Sequence, residues 1–293
     1  MAPRYPPSSI SDFYDTKQAE YLGKYGASGR THIHTAHFSK VETTEVFRDG
    51  WIRPSLGIDY LRSVVRRGQD RTSSQLISKL FEFGGEHDLF LDCGAGLGGT
   101  SWLVAERFQK RVDALTISES QINHIRETSH VLGLTDMVTP IHGDVFDTPW
   151  SAGVRYSGIF GIDSFCQMGN FPELASILNA YQSPGGVLGI SDYFCRSRDS
   201  DISIYFNRYW RSDVAPLEEM VESLTRAGYV LKYVRDTTIE QLPYWDLSVA
   251  MSSLEIPNWS AVRRHESHAF HEAMASAFRS GEMRYFQIVA AKV

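Results

Sequence analysis

Apolar and polar positions along the chain follow two different periods, and the change of period marks the predicted elements. Residues 59–83 repeat apolar side chains every three to four positions, as at Leu61, Val64 and Leu80, which predicts a helix. From residue 88 onward, short apolar runs alternate with helical patterns. Strands are predicted at 88–92, 112–116, 138–142, 156–162, 187–192, 229–234 and 284–291, and helices at 100–108, 118–132 and 171–181.

Strands that alternate with helices at this spacing predict an α/β protein with a doubly wound, seven-stranded Rossmann-like sheet. Pro140 lies in the third run, which indicates an edge strand because proline cannot donate to a neighbouring strand. We expect residues 1–75 to form an N-terminal helical lid, with a frayed start at 1–12 and a helix at 13–28. Residues 76–293 form the predicted core, with a helical insertion at about 195–227.

Composition narrows the function classes. The chain has 293 residues and a formal net charge of −6, whereas proteins that coat nucleic acid are usually basic. Three cysteines without a C-x-x-C pair indicate reduced thiols, and the sequence shows neither a secretory h-region nor a membrane-spanning run. We therefore expect a cytoplasmic protein without nucleic-acid or membrane partners. We expect no metal site either, since no carboxylate accompanies His32, His34 and His37 in the sequence.

A glycine-rich loop follows the first predicted core strand. Gly94, Gly96 and Gly99 also fit a dinucleotide-binding loop, so the glycines alone do not identify the ligand. Asp92 distinguishes the two, because a pyrophosphate would be repelled by a carboxylate at this place. The pattern Asp92-Cys93-Gly94-Ala95-Gly96 is typical of methyltransferases, whose cofactor S-adenosylmethionine is cationic and is released as S-adenosylhomocysteine. We expect Asp92, Gly94, Ala95 and Gly96 to bind it.

Three later strand ends agree with this interpretation. Thr116, Ser118 and Gln121 follow the second strand, where many methyltransferases bind the ribose hydroxyls with an acidic residue instead. Asp144 and the Val145 backbone N–H follow the third strand and are expected at the adenine ring. The segment 161–165 follows the fourth strand and is expected at the mouth of the site.

The chain resembles the small-molecule C-methyltransferases related to cyclopropane fatty acid synthase, and more narrowly the geranyl diphosphate C-methyltransferases. The resemblance is carried by four segments: the run 115–121, the triplet Ile162-Asp163-Ser164, the tail with Leu242-Pro243-Tyr244-Trp245 and 284–293, and the histidine-rich stretch 32–38. It implies methyl transfer to an alkene carbon of a terpenyl chain. A tertiary carbocation results, which loses a proton to a carboxylate or is captured internally.

The resemblance also implies residue roles. Tyr21, Phe165, Tyr244 and Trp245 would form an aromatic wall that stabilises the cation and excludes water. Asp163 matches the position of the family's acidic base, but as Asp where Glu is expected. His34 and Phe38 would belong to the substrate pocket, in the stretch that corresponds to the family's lid.

Two departures affect the expected substrate: the shorter Asp163 in place of Glu, which weakens it as a direct base, and the composition of the expected diphosphate site. Residues 15–21 lack the asparagines that accompany the metal-bound diphosphate in the family, and Arg62, Arg66, Arg67 and Arg71 are more typical of a solvated helix face. The expected substrate is therefore a prenyl chain on another scaffold, namely a prenylated indole of the teleocidin type, whose indole captures the cation by cyclisation. We expect a homo-oligomer, with an N-terminal helix that neighbours could exchange.

Several alternatives stay open at this point. One is a geranyl diphosphate C-methyltransferase, and a second is a small-molecule O- or N-methyltransferase that uses His142 as a base. A cofactor-binding module without catalysis belongs to a different class. A nicotinamide dehydrogenase is disfavoured by Asp92.

Overall fold

The computed structural model describes residues 5–26, 30–48, 51–52, 56–84, 88–148, 153–254, 256 and 259–293. Within these ranges, seven strands form one mixed sheet in the order β5-β4-β3-β6-β7-β9-β8. The first five pair in parallel, and β9 is antiparallel to both of its neighbours. The strands are β3 Leu89–Cys93, β4 Arg111–Thr116, β5 Val138–His142, β6 Tyr156–Ile162, β7 Gln182–Cys195, β8 Tyr229–Asp236 and β9 Met283–Lys292.

This sheet confirms the predicted fold class, including the edge position of the strand that carries Pro140. Helices cover both faces. One side carries α3 Ile58–Phe83, α4 Gly99–Phe108 and α5 Glu119–Val131, and the other carries α7 Phe171–Tyr181 and α9 Leu217–Arg226. Successive strand residues face opposite layers, as the period of two requires: Phe90 packs with the α3 side and Leu91 with the α7 side.

A lid covers the carboxyl edge of the parallel strands. Its main part is α1 Pro7–Tyr25, which begins within the segment that we expected to be frayed, because Pro7 is well placed in a first helical turn. A short helix, α2 Lys40–Val46, and a two-stranded hairpin of β1 Phe47–Arg48 and β2 Trp51–Ile52 follow. The sequence boundary predicted at 75–76 falls inside α3, which packs against the core sheet.

Further helices lie over the same edge. The short α6 Phe165–Met168 follows β6, and α8 Asp201–Trp210 follows β7 and matches the predicted insertion. The second helix of that stretch, α9, is an ordinary layer helix of the core. A helical pair, α10 Thr238–Ser252 and α11 Ala261–Ser280, is inserted between β8 and β9 and packs against α1 and α8.

The described helices and cysteines bear on two further expectations. No helix in the described ranges is both long and apolar enough to traverse a lipid bilayer. Cys93, Cys166 and Cys195 are all buried and carry unbridged thiols.

Candidate active site

A cavity of about 1260 Å³, including its mouth, opens where β3 and β6 end and the sheet order reverses. In doubly wound folds this crevice is where ligands bind. Its walls come from the glycine-rich loop, the ends of β4 to β7, the lid helix α1, the histidine segment and helices α8 and α10.

The loop after β3 has the backbone geometry of a close ligand approach. Gly94 has a φ of +89° and Gly96 one of +54°, both in the left-handed region. A Cβ on Gly94 would lie 2.5 Å from Ser164 Cβ, and one on Gly96 would lie 2.9 Å from Ile33 Cδ1. Both glycines line the cavity together with Ala95; these are three of the residues that we expected to bind the cofactor. A larger residue at Gly94 or Gly96 would fill the open space above this loop, which we call the glycine cradle.

Asp92 lies at the end of β3 and is only 3% exposed. Its Oδ2 accepts a hydrogen bond from Ser101 Oγ at 2.6 Å, and burial raises the pKa of Asp92 to about 7. Asp92 lines the cavity, and none of the described residues that line it is Lys or Arg. A cationic ligand in this place would therefore compensate the buried carboxylate.

The ends of β4 and β5 form the next part of the wall. Thr116, Gln121, Asp144 and Val145 all line the cavity. Thr116 Oγ1 donates to Gln121 Oε1 at 2.6 Å, which orients the amide. Four of the five residues that we expected at these two strand ends therefore lie on the cavity wall, and Ser118 does not.

Ser118, the exception, is not part of the cavity wall. Its Oγ accepts from the Gln121 backbone N–H at 3.2 Å and so caps the N-terminus of α5. The same hydroxyl donates to Asp15 Oδ1 in the lid, and this carboxylate also accepts from Ser120 Oγ at 2.7 Å. Ser118 therefore connects α5 to the lid helix α1. We had expected it at the cofactor instead.

Asp163 lies on the cavity wall at the end of β6, with a left-handed φ of +52°. Its carboxylate accepts from the Thr35 backbone N–H at 2.7 Å, from Tyr193 OH at 3.1 Å and from Tyr285 OH; the Thr35 hydroxyl lies 3.2 Å away. Desolvation raises the pKa of Asp163 to about 7, and the neighbouring Asp192 carboxylate adds to the shift. The acceptor positions of this carboxylate are thus occupied by the protein.

Aromatic residues form a large part of the same cavity wall, which we call the aromatic wall. The predicted members Tyr21, Tyr244 and Trp245 all line it. Tyr244 OH lies 2.6 Å from Tyr25 OH, and the Tyr244 and Trp245 rings meet edge to face at 5.2 Å. The structure adds four aromatic residues that we did not predict from the sequence, namely Tyr14, Tyr193, Phe206 and Trp210.

Two predicted pocket residues do not line the cavity. Phe165 is 1% exposed and packs in the core beneath β6, because the absent side chain of Gly161 leaves space for its ring. Phe38 is also buried, and its backbone N–H donates to the Glu240 carbonyl at 2.9 Å. The sequence could not distinguish these packing positions from wall positions, since both are apolar.

The histidine segment does reach the cavity, through His32 and His34. His34 Nδ1 lies 2.7 Å from the Thr35 carbonyl oxygen, so this nitrogen carries the proton, and His32 Nε2 lies 2.9 Å from Asp70 Oδ1. Burial lowers the pKa of both rings, that of His34 to about 3. Within the described ranges, no group of three or more His, Cys, Asp or Glu is arranged to hold a metal ion.

The arginine stripe and His142 lie outside the cavity wall. Arg62 donates to the Lys24 carbonyl at 3.2 Å, and Arg66 reaches the Tyr25 carbonyl, so both cap the end of α1. Arg67 and Arg71 pair with Glu42 of α2. His142 is exposed, with Nε2 3.1 Å from the Ile117 carbonyl oxygen.

No family model matches the chain. A geranyl diphosphate 2-C-methyltransferase of Streptomyces lasalocidi is 25% identical over 211 residues, which are 71% of this chain and 66% of that protein. A sterol methyltransferase-like protein of Botryococcus braunii is 28% identical over 100 residues, or 34% of this chain and 25% of that protein. The chain thus spans less than two thirds of the length of these curated relatives.

Solved structures extend the similarity to the whole fold. A geranyl diphosphate methyltransferase in complex with geranyl diphosphate and sinefungin has a TM-score of 0.82 at 20% identity, covering 98% of this chain and 99% of that one. The geranyl diphosphate C-methyltransferase of Streptomyces coelicolor, in complex with Mg²⁺, geranyl diphosphate and S-adenosyl-L-homocysteine, has a TM-score of 0.78 at 20% identity with full coverage of both chains. The chain therefore has the class I methyltransferase fold.

Proposed function

We propose that this chain is an S-adenosylmethionine-dependent C-methyltransferase that methylates an alkene carbon of a terpenyl chain. The observation that carries the proposal is the cavity itself, which is lined by the glycine cradle, a buried carboxylate and the aromatic wall. The cofactor supplies an electrophilic methyl group when it is bound. Gly94 and Gly96 admit its close approach, and Asp92 offers negative charge to a cation.

The residues of the wall support an uncharged acceptor. Three carboxylates and no described Lys or Arg line the cavity, so a diphosphate would meet charges of its own sign. Ring faces stabilise a developing carbocation by about 0.5–2 kcal/mol each and keep water away from it. Tyr21, Tyr244 and Trp245 are the rings to which we assign this role.

Asp163 supports a particular fate for the cation. Its carboxylate already accepts hydrogen bonds from Thr35, Tyr193 and Tyr285, so a substrate C–H would have to compete with these donors for an oxygen atom, although the raised pKa of Asp163 favours protonation. Capture by a nucleophile within the substrate needs no such base. We therefore propose a prenylated indole alkaloid of the teleocidin type, in which the indole captures the cation and closes a ring.

The first alternative is a geranyl diphosphate C-methyltransferase, which the names of the similar proteins favour. The second alternative, an O- or N-methyltransferase with His142 as its base, is weakened because this side chain lies outside the cavity wall.

One experiment separates these functions. Purified protein is incubated with methyl-labelled S-adenosylmethionine and either geranyl-indolactam or geranyl diphosphate with Mg²⁺, and the products are analysed by mass spectrometry. We expect label on a carbon of a cyclised indole product, and none with Gly96→Val, whose side chain would occupy the cradle. Label only in the diphosphate supports the first alternative. Tight cofactor binding without methyl transfer to any acceptor contradicts catalysis altogether.

The assembly is a separate proposal. We propose a homo-oligomer in the cytoplasm in which neighbouring subunits exchange the N-terminal helix. Light scattering of the chain measures the oligomeric state. A variant cross-linked between α1 and α5 measures the exchange, because the cross-link joins two subunits only if the helix is exchanged. A monomer at all concentrations contradicts the proposed assembly.

A further inference from the structure

Two polar groups in the aromatic wall lack hydrogen-bond partners among the described residues. They are the hydroxyl of Tyr21 and the indole N–H of Trp245. Both side chains are more than nine-tenths buried, with 5% and 1% exposure, and both residues line the cavity. A buried donor that is left unpaired is costly, so such groups are rare in folded proteins.

Other tyrosine hydroxyls of the aromatic wall do have hydrogen-bond partners within the protein. Tyr14 OH donates to Gln167 Oε1 at 2.6 Å, Tyr193 OH donates to Asp163, and Tyr244 OH pairs with Tyr25 OH. The protein therefore satisfies these hydroxyls internally. Tyr21 and Trp245 remain as residues of the cavity wall whose buried donor atoms have no partner among the described residues.

The chemistry of the two groups specifies what pairs with them. An indole N–H can only donate, and burial raises the pKa of Tyr21 well above its ordinary value, so the phenol keeps its proton. Both groups thus require an acceptor atom. Among the described residues that line the cavity are three carboxylates and neither Lys nor Arg, which favours an uncharged acceptor over an anionic one.

We infer that Tyr21 and Trp245 form a recognition subsite for an uncharged hydrogen-bond acceptor, such as a carbonyl or hydroxyl oxygen, on an otherwise apolar substrate. For the identity of this second ligand the inference rests on the proposed function. It assigns the two residues a specificity role in addition to the cation-stabilising role of their rings. A substrate that lacks the oxygen leaves both donors unpaired and is bound less tightly.

A matched pair of probes tests this without any methyl transfer. Geranylacetone carries a ketone oxygen on a prenyl chain, and 2,6-dimethylundeca-2,6-diene has the same carbon skeleton with a methylene group in place of the carbonyl. Dissociation constants are measured by calorimetry in the presence of saturating S-adenosylhomocysteine. We expect the ketone to bind about tenfold more tightly than the hydrocarbon to the wild-type protein.

Variants assign the preference to the two residues. Tyr21→Phe and Trp245→Phe keep an aromatic ring but remove the donor, so each is expected to reduce the preference for the ketone at least about threefold while changing hydrocarbon binding less. Trp210→Phe is the control, because Trp210 lines the same cavity and is not one of the unpaired donors; it is expected to affect both probes alike.

The outcomes separate the inference from the proposed function. Equal affinity for the two probes in the wild type, or an unchanged preference in both donor variants, overturns the subsite. Binding of S-adenosylhomocysteine without binding of either probe also overturns it, but leaves the methyltransferase proposal standing. Failure to bind S-adenosylhomocysteine contradicts the proposed function itself.

Discussion

The Thr35 backbone N–H donates to Asp163 Oδ2 at 2.7 Å, across 128 residues of chain. This hydrogen bond joins the lid segment to the end of β6, and Tyr193 and Tyr285 add donors from β7 and β9. Asp163 is thus the point at which the lid and three strands meet. Its left-handed φ of +52° is a strained conformation for a non-glycine residue, and the surrounding contacts maintain it.

Removal of this carboxylate should destabilise the protein. Asp163→Ala leaves the Thr35 N–H and the Tyr193 hydroxyl without their acceptor, whereas Tyr285 OH keeps the Ser191 carbonyl at 3.1 Å, so we expect a loss of about 2–4 kcal/mol in the free energy of unfolding. Urea unfolding at pH 7.5 measures it. Thr35→Ala, which removes one hydroxyl and keeps the N–H, should cost about 1 kcal/mol or less. Similar losses in the two variants would show that Asp163 does not join these elements.

Cofactor affinity should depend on pH through Asp92. Because the pKa of Asp92 is raised to about 7, the residue is neutral at lower pH and negative at higher pH. The affinity for cationic S-adenosylmethionine should therefore rise with pH through about 7, by up to about tenfold per unit on the acidic side. Calorimetric titrations at pH 6, 7 and 8 measure this. Asp92→Asn should flatten the profile, whereas Asp88→Asn, at the exposed residue just before β3, should not.

The contact of Asp15 with Ser118 and Ser120 should control how long the lid stays closed. Ile10 and Tyr14 of α1 line the cavity, so opening of α1 exposes the cofactor site. Asp15→Ala is expected to raise the dissociation rate of S-adenosylhomocysteine by roughly threefold to tenfold, since exposed charged contacts are individually weak. Stopped-flow displacement measures the rate. Asp12→Ala, an exposed carboxylate on the same helix, is the control, and an equal effect there would refute the specific contact.

The ring of Tyr244 should matter more for the chemical step than its hydroxyl. Tyr244→Phe keeps the aromatic face and is expected to lower the single-turnover rate of methyl transfer by less than about threefold. Tyr244→Leu removes the face and should lower the rate by roughly tenfold, in line with about 1–2 kcal/mol of cation stabilisation. Rapid-quench measurement with labelled cofactor gives both rates. If the phenylalanine variant is as slow as the leucine variant, the hydroxyl rather than the ring is essential.

Lys24 gives a stability prediction above neutral pH. Its ammonium is buried beside Ser248 and His271, and burial lowers the pKa of Lys24 to about 7. Between pH 7 and the ordinary value of 10.5 the unfolded chain binds the extra proton, so Lys24 makes the free energy of unfolding rise with pH. The slope is at most about 1.4 kcal/mol per unit.

Urea unfolding at pH 7, 8 and 9 measures that slope. Lys24→Met should reduce it and should be most stabilising, relative to the wild type, at pH 7. Lys232→Met on the exposed part of β8 should leave the slope unchanged. A Lys24→Met profile parallel to that of the wild type would mean that the buried amine does not titrate in this range.

The sequence predicted the sheet well because strand and helix periods are local properties. The same holds for the loop at Gly94 and Gly96, where residue type alone indicates the backbone conformation. Ser39 and Glu42 form a capping box at the start of α2, a helix that we did not predict although its capping signature is local too. Pro243 lies inside helix α10, where proline is usually unfavourable, and tertiary packing of α10 overrides this tendency.

Side-chain contacts across the chain were not predictable in this way. Tyr285 lies 122 residues from Asp163, and periodicity carries no information about which distant hydroxyl meets the carboxylate. Tyr193 could more easily have been predicted as a site residue. It directly follows a predicted strand, and the ends of neighbouring parallel strands lie close together. We expected Phe165 and Phe38 in the pocket for a similar reason: the sequence shows only that a residue is apolar, and apolar residues fit equally well into a core or a pocket.

The meeting of distant segments at Asp163 has a consequence for how the protein is made. Contacts that close loops of more than a hundred residues raise the contact order, and a high contact order slows folding. During synthesis the nascent chain cannot complete the hydrogen bonds around Asp163 until β9, which carries Tyr285, has left the ribosome. Ligands that bind only the finished fold then stabilise it by mass action, so the supply of cofactor should also set how much of the newly made protein survives.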